Sequence, residues 1–355
     1  MSDKDNRVIN LKDLPKVGVC YGKFLPPHRG HLYTILEAAT NVQKLYVVVS
    51  DNSNKIDKLC KEDGIDVIPV ALRLQWLAQQ FQDMDHIKVV VLDENNMGDD
   101  ENSWNVWADR LKDVVKEHID VFYCRDLDDS RRIKHCFKNT KVNLVDRNDT
   151  IFNVNSSEIR KSPFKYWDYI LGPARPYFTK KVLITGTESS GKTTLTKSLA
   201  KIFNTSWSEE EGRYYAEKFL GGDENYFTDE DFIRMTHLQV EQDYDAMRNA
   251  NKICFFDTDA TATQYYSRLY MGHENKIVES YINPDKYDLV LLLKPDVEWV
   301  ADGQRLNGNQ EKRERLYLNL KQMYVERGFK NIIEISGDYN TRLNTAILKS
   351  MELIR

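Results

Sequence analysis

Two doubly wound α/β domains in tandem, each built on a parallel sheet, are what this sequence predicts. Three observations carry the prediction. Apolar Lys181-Val182-Leu183-Ile184-Thr185 reads as a buried strand that runs into a glycine-bounded loop and then into an amphipathic helix over 194–203. The first half holds its own strand, loop, helix and strand over 17–49, the spacing of a βαβ crossover. Between the halves, residues 169–178 carry two prolines and a glycine and read as a short linker. The expected boundaries are a polar lead-in over 1–15, a first domain over 16–171, a linker over 172–180 and a second domain over 181–355.

The bulk properties fit. A chain of 355 residues can bury two full cores, and 41% hydrophobic with 30% charged residues is globular rather than disordered. The net charge of −5 offers no general attraction to nucleic acid. The five cysteines form no Cys-x-x-Cys pair, so core thiols in a reducing compartment are expected. The first residues lack the apolar segment of a signal peptide, and no apolar run is long enough to span a bilayer. A cytoplasmic protein without membrane contact is the expectation.

In the first half, a strand over 17–21 leads into Gly22-Lys23-Phe24-Leu25-Pro26-Pro27-His28-Arg29-Gly30-His31, then a helix over 32–40 and a strand over 45–49. Further strands are expected near 87–92, 121–124 and 142–145, with helices around 71–81 and 104–118. In a doubly wound sheet the ligand sits beyond the C-terminal strand ends, where this loop lies. Gly22 permits close backbone approach, the prolines stiffen the turn, and His28, His31 and Lys23 can all donate to one polyanion. No carboxylate or thiol beside the histidines completes a metal site. Asp51-Asn52 reads as loop.

Gly22-x-Phe24-x-Pro26-x-His28-x-Gly30-His31 resembles the nucleotidyltransferase signature with its His-x-Gly-His core. The second signature of that superfamily, a Ser-rich turn ending in Arg at a helix start, is matched by Asn155-Ser156-Ser157-Glu158-Ile159-Arg160. The resemblance implies ATP contacts from Gly22, Phe24, Gly30, Ser156 and Ser157, and a phosphate fork from Arg160. Two tryptophans three apart, Trp104 and Trp107, share one helix side. Each reads as core or as a stacking surface for a pyridine ring, and Trp104 is preferred for stacking because the resembled family uses a tryptophan in this neighbourhood.

The second half opens on Gly186-Thr187-Glu188-Ser189-Ser190-Gly191-Lys192-Thr193, a phosphate-binding loop in the strand-to-helix setting such a loop requires. Its N–H groups and helix N-terminus suit an ATP phosphate chain, with Gly186, Glu188, Ser189, Ser190, Gly191, Thr193 and Thr194 as contacts. Lys192 is expected on the β/γ-phosphates and Thr193 on Mg²⁺. Glu210 in Glu209-Glu210-Glu211-Gly212-Arg213 suits an acceptor hydroxyl, and Arg213 a phosphate. The strand over 253–256 delivers Asp257-Thr258-Asp259 to the sheet edge, with Asp257 near the metal or the nucleophile and Asp259 near substrate. Arg305 is expected to neutralise the transferring phosphoryl group from a lid.

Taken together, the chain from about Val17 onward is similar to the NadR family. In that family a nicotinamide mononucleotide adenylyltransferase of Rossmann type is fused to a P-loop ribosylnicotinamide kinase. The resemblance implies ATP, ribosylnicotinamide, nicotinamide mononucleotide and NAD as ligands, Mg²⁺ with ATP, and a homo-oligomer. Enterobacterial members add an N-terminal helix-turn-helix. About sixteen residues precede the first strand here, too few for that motif, so operator binding is not expected. Residues 125–132 depart from the family pattern and receive no role. Two alternatives stay open: an adenylyltransferase whose phosphate loop only senses ATP, and a nucleic-acid-binding regulator. Whether Asp257 or Glu210 acts as the kinase base is also open.

Overall fold

All ten strands named below lie parallel to their neighbours, so every strand's C-terminal end falls on one edge of its sheet. The computed structural model describes residues 11–98, 100–125, 127–146, 151–223, 226–296 and 309–355, apart from the side chains of residues 11, 101 and 213. The chain divides into two compact units, Met1–Arg175 and Pro176–Arg355.

The first unit carries β1 (Val17–Gly22), α1 (Arg29–Ala39), β2 (Lys44–Asp51), α2 (Ser53–Glu62), α3 (Val70–Gln80) and β3 (Ile87–Asp93). It continues through α4 (Glu101–Val115), β4 (Val121–Cys124), α5 (Leu127–Cys136), β5 (Lys141–Leu144) and α6 (Ser156–Lys161). The strand order is β3-β2-β1-β4-β5, so the order reverses between β1 and β4 and the His28–His31 loop follows β1 at that switch point. The period-2 pleat sends alternate residues of β2 to opposite faces. Val47 and Val49 join one buried cluster with Ile35 and Leu77, and Tyr46 and Val48 join another with Trp107 and Leu111. Helix α2 is not among the elements expected from the sequence, and it starts directly after the Asp51-Asn52 pair expected as loop. Asn52 caps it by accepting from the Lys55 N–H, and Asp51 ends β2.

The segment after α6 is not extended. Gly172–Ala174 forms a short 3₁₀ turn and α7 (Arg175–Phe178) a single helical turn, so the division between units falls inside the span read as a linker.

In the second unit β6 (Lys180–Gly186) is followed by α8 (Lys192–Phe203), the short β7 (Trp207–Ser208), α9 (Glu211–Phe219), α10 (Asp229–Arg248) and β8 (Ile253–Asp257). Then come α11 (Ala260–Met271), α12 (Lys276–Ser280), β9 (Leu289–Leu293), α13 (Gln310–Glu326), β10 (Ile332–Ile335) and α14 (Tyr339–Glu352). The order β10-β9-β6-β8-β7 makes β6 central and sets Asp257 opposite Ile184 in register. β8 is apolar because both its faces are covered. Cys254 and Phe256 pack on one side, Ile253 and Phe255 on the other. All five cysteines are free thiols, four of them buried. Among the described residues no helix is long and apolar enough to cross a membrane.

The two tryptophans of α4 part ways. Trp107 is 1% exposed and meets Tyr21 edge-on at 5.3 Å, with the Arg132 guanidinium 4.4 Å from its ring. Trp104 is half-buried and meets only the His135 ring edge-on among the ring contacts described. Trp107→Ala should therefore destabilise the first unit by about 3–5 kcal/mol, the usual cost of emptying a large aromatic site. Trp104→Ala should cost much less, and denaturant melts of the two variants check the difference.

Candidate active sites

At the first site, two histidines are held as neutral donors. His28 caps α1: its Nδ1 accepts from the Gly30 N–H at 3.2 Å, and the His31 Nδ1 accepts from the His28 N–H at 3.3 Å. An imidazole nitrogen that accepts carries no proton, so each ring presents N–H at Nε2. The rings stack with centroids 3.8 Å apart, and Phe24 meets His31 edge-on at 4.9 Å. Burial, with the Arg125 guanidinium as a second cause, pushes His28 down to about 3. Burial, His28 and Arg125 hold His31 well below the usual imidazole range. Gly30 is required by space. A Cβ there would stand 3.1 Å from the His28 ring and collide with the Arg125 guanidinium.

The second signature is bolted to the first through carbonyls. Arg160 donates from Nη1 to the Leu25 carbonyl at 2.5 Å, Ser156 Oγ donates to the Pro26 carbonyl at 3.1 Å, and the Leu171 N–H donates to the Pro27 carbonyl. Asp63 anchors this arrangement, accepting from Arg160 Nε at 2.8 Å and from Ser157 Oγ at 3.3 Å. The Ser156 and Ser157 hydroxyls, expected at the nucleotide, donate within the protein in this structure. Arg160 is buried rather than a free fork, although with Nη1 on the Leu25 carbonyl and Nε and Nη2 on Asp63, a guanidinium of five N–H groups keeps two more. Phe24, expected at ATP, is buried in the core under His31, while Gly22 ends β1 and Lys23 is exposed beside it.

Sequence reasoning missed three groups here. Arg73, fully buried on α3, donates to the Lys23 and Ser50 carbonyls. Glu94 accepts from Ser50 Oγ at 2.6 Å and from the Tyr21 hydroxyl. Arg125 donates to the Asp146 carboxylate at 3.2 Å and the Phe152 carbonyl at 2.9 Å. A lone arginine inside the apolar run Val70-Ala71-Leu72-Arg73-Leu74 was the one available signal.

The second site is the loop between β6 and α8. Gly186 has φ +156°, and a Cβ there would lie 2.8 Å from the Leu293 carbonyl oxygen, so the loop can turn only over glycine. Arg342 braces the turn from α14, donating to the Ser190 carbonyl at 2.7 Å, the Lys294 carbonyl at 2.8 Å and the Gly337 carbonyl at 2.7 Å. The hydroxyls of Thr187, Ser189 and Ser190 are buried without partners. Buried donors left unpaired are costly, and an anion accepting from them removes that cost.

Lys192 lies at the floor, 3.7 Å from the Glu210 carboxylate. Thr193 Oγ1 donates to Asp257 Oδ2 at 2.5 Å, and Asp257 Oδ1 has no partner. Burial first, and then Glu210, push Asp257 up to about 7. The loop opens on a cavity of about 570 Å³ that Glu188, Gly191 and Thr194 also line. Its far wall is apolar and aromatic, from Phe232 and Met235 on α10 and Tyr266 and Tyr270 on α11. Asp259 is not brought to this cavity. It caps α11, accepting from Thr261 Oγ1, the Ala262 N–H and the Tyr324 hydroxyl, the last at 2.6 Å. Arg305 and the Arg213 side chain lie outside the described residues.

The comparisons with known proteins fit both halves. The family described as an AAA domain matches residues 181–342. The chain is 34% identical over 346 residues to the trifunctional NAD biosynthesis/regulator protein NadR of Salmonella typhimurium strain LT2, covering 96% of this chain and 82% of that protein. A crystal structure of NadR protein in complex with NAD and AMP-PNP is similar with a TM-score of 0.79 and 28% identity, 96% of each chain being covered. Another, in complex with NR, is similar with a TM-score of 0.80, 29% identity and the same coverage.

Asp257 gives the second site a pH signature. Its folded-state pKa lies above the unfolded carboxyl value, so its contribution to stability is fully present at low pH and is lost as pH rises through about 7. Asp257→Asn removes the titration. Relative to wild type, the ligand-free variant should melt higher at pH 8 than at pH 5, and thermal melts at the two pH values check this.

Proposed function

This chain belongs to the NadR family, and from that premise we propose a bifunctional enzyme that makes NAD in two ATP-dependent steps. The Pro176–Arg355 unit phosphorylates ribosylnicotinamide, and the Met1–Arg175 unit adenylylates the resulting mononucleotide. The observation that carries the reading is the 570 Å³ cavity beside the phosphate loop. A loop that only sensed ATP would need no such room, walled by aromatic side chains and reached by a carboxylate. A nucleoside acceptor needs both.

In the kinase step the 5′-hydroxyl oxygen of the riboside attacks the γ-phosphorus of ATP and the bond to the ADP oxygen breaks. The hydroxyl proton leaves to a carboxylate. Glu210 is better placed for this than Asp257, since Glu210 lines the cavity and Asp257 stands fully buried behind Thr193. Lys192, held near Glu210, carries the positive charge that the transferring phosphates require. The unpartnered Asp257 oxygen next to Thr193 Oγ1 fits a divalent cation. Mg²⁺ held there would neutralise charge on the β- and γ-phosphates. Arg305 remains the residue proposed for the lid side of the phosphoryl group, with Arg213 beside the acceptor.

In the transferase step a phosphate oxygen of the mononucleotide attacks the α-phosphorus of a second ATP. The bond to the bridging oxygen breaks and pyrophosphate leaves. No protein nucleophile is needed. The His28 and His31 Nε2–H groups donate to the phosphate oxygens as charge builds, with Lys23 adding positive charge from the strand end. Arg160, Ser156 and Ser157 act mainly by holding residues 25–27 so that the two imidazoles keep their aim.

Mass spectrometry of products from ribosylnicotinamide, ATP and Mg²⁺ tests the whole reading, and wild type should yield both mononucleotide and NAD. Lys192→Ala should lower mononucleotide formation by roughly 10²-fold or more while NAD formation from supplied mononucleotide persists. His28→Ala should do the reverse. Equal loss of both activities in either folded variant would sink the two-site reading.

A further inference from the structure

Besides its apolar residues, the cavity beside the phosphate loop is lined by buried hydrogen-bond acceptors on α9 and α10. Glu211 opens α9 and lines the cavity at 5% exposure, and its Oε2 has no partner. Its own N–H donates to Gln239 Oε1 at 3.2 Å. Gln239 is locked in that orientation, because its Nε2 donates to Ser208 Oγ at 2.8 Å and to Asp243 Oδ1 at 2.9 Å. Both amide protons are therefore committed, and Gln239 can turn only its carbonyl oxygen to a ligand. Phe232, Met235 and Gln239 sit at i, i+3 and i+7 on α10, one face of the helix, so these acceptors continue the apolar wall.

The charge has the same sense. Lys192 and Lys197 are matched by Glu210 at 3.7 Å and Glu209 at 3.0 Å, and Glu211 adds negative charge beyond those pairs. A buried carboxylate oxygen without a donor is costly, and burial raises the pKa of Glu211 accordingly. A ligand that brings an N–H and a positive ring removes both penalties. A ligand that brings a second carboxylate adds to them.

We propose that Glu211, with the oriented Gln239 carbonyl, makes the kinase site select a pyridinium riboside bearing a neutral carboxamide over its counterpart bearing a carboxylate. This rests on the kinase reading above. The carboxamide NH₂ donates to the two acceptors, and the pyridinium charge is balanced by the Glu211 carboxylate. Glu211 is a specificity determinant and takes no part in phosphoryl transfer.

The test compares kcat/KM for ribosylnicotinamide and for its carboxylate counterpart, in the full-length wild type and in Glu211→Gln, by release of ADP. Wild type should favour the amide by roughly 10²-fold, the scale of discrimination when buried polar groups are left mismatched. Glu211→Gln should shrink that ratio about tenfold or more, chiefly by raising activity on the acid. A wild-type ratio near one overturns the proposal, and that arm stands even if the variant does not fold. A variant that slows both ribosides equally, leaving the ratio unchanged, also overturns it, because a purely structural role moves rates and not their ratio. Phosphorylation of neither riboside by wild type overturns the kinase reading and this proposal with it, an outcome separate from indifference between the two.

Discussion

Parallel pairing on both sides of a central strand is the constraint from which each site follows. β1 has β2 and β4 beside it, and β6 has β8 and β9. Such a strand cannot turn back on itself, so the chain must leave over the sheet edge and return by a helix. The exit loop is then flanked by the ends of two neighbours, and the returning helix aims its N-terminus at the same point. The His28–His31 loop and the 186–193 loop are two solutions to one geometric problem. One fills the helix start with stacked imidazoles, the other with backbone N–H groups and a lysine.

Loops in that position need bracing, and in both units the brace is a buried arginine that grips carbonyl oxygens. Arg160 holds the Leu25 carbonyl, Arg73 the Lys23 and Ser50 carbonyls, and Arg342 the Ser190, Lys294 and Gly337 carbonyls. A guanidinium suits this work because its planar fork spans several acceptors at fixed angles. Burial of its charge is tolerated because carboxylates stand by: Asp63 at Arg160, Asp51 at Arg73, Asp296 at Arg342.

The fold was legible because it is written in local pattern. Apolar runs bounded by glycine and alternating with helical spacing are properties of neighbours in sequence, and both sheets follow from them. The phosphate loop was legible for the same reason, since its lysine, threonine and glycines act within eight residues. What escaped depends on distant contact. Ser156 meets a carbonyl 130 residues away and Arg160 one 135 residues away, so no local pattern could tell a nucleotide donor from a loop brace. Asp259 reads like Asp257 two residues before it, yet the turn at the start of α11 takes it inward as a cap. Trp104 and Trp107 share a helix side, and only packing against Tyr21 and Arg132 tells which is core. Glu211 was hidden in a run of three glutamates whose fates differ: one pairs with Lys197, one with Lys192, and one is buried with an oxygen to spare.

The neutrality of the stacked histidines has a consequence for ionic strength. Their Nε2–H groups approach a phosphate as dipoles, whereas Lys192 approaches as a full charge. Added salt screens charge–charge attraction over a Debye length of about 8 Å at physiological strength, and it weakens a short hydrogen bond from a neutral donor far less. On the proposed two-site reading, one chain grips ATP in two ways that respond differently to its surroundings. As the electrolyte concentrates, occupancy of the two proposed sites should drift apart, the share of the grip that the imidazoles supply being the steadier one.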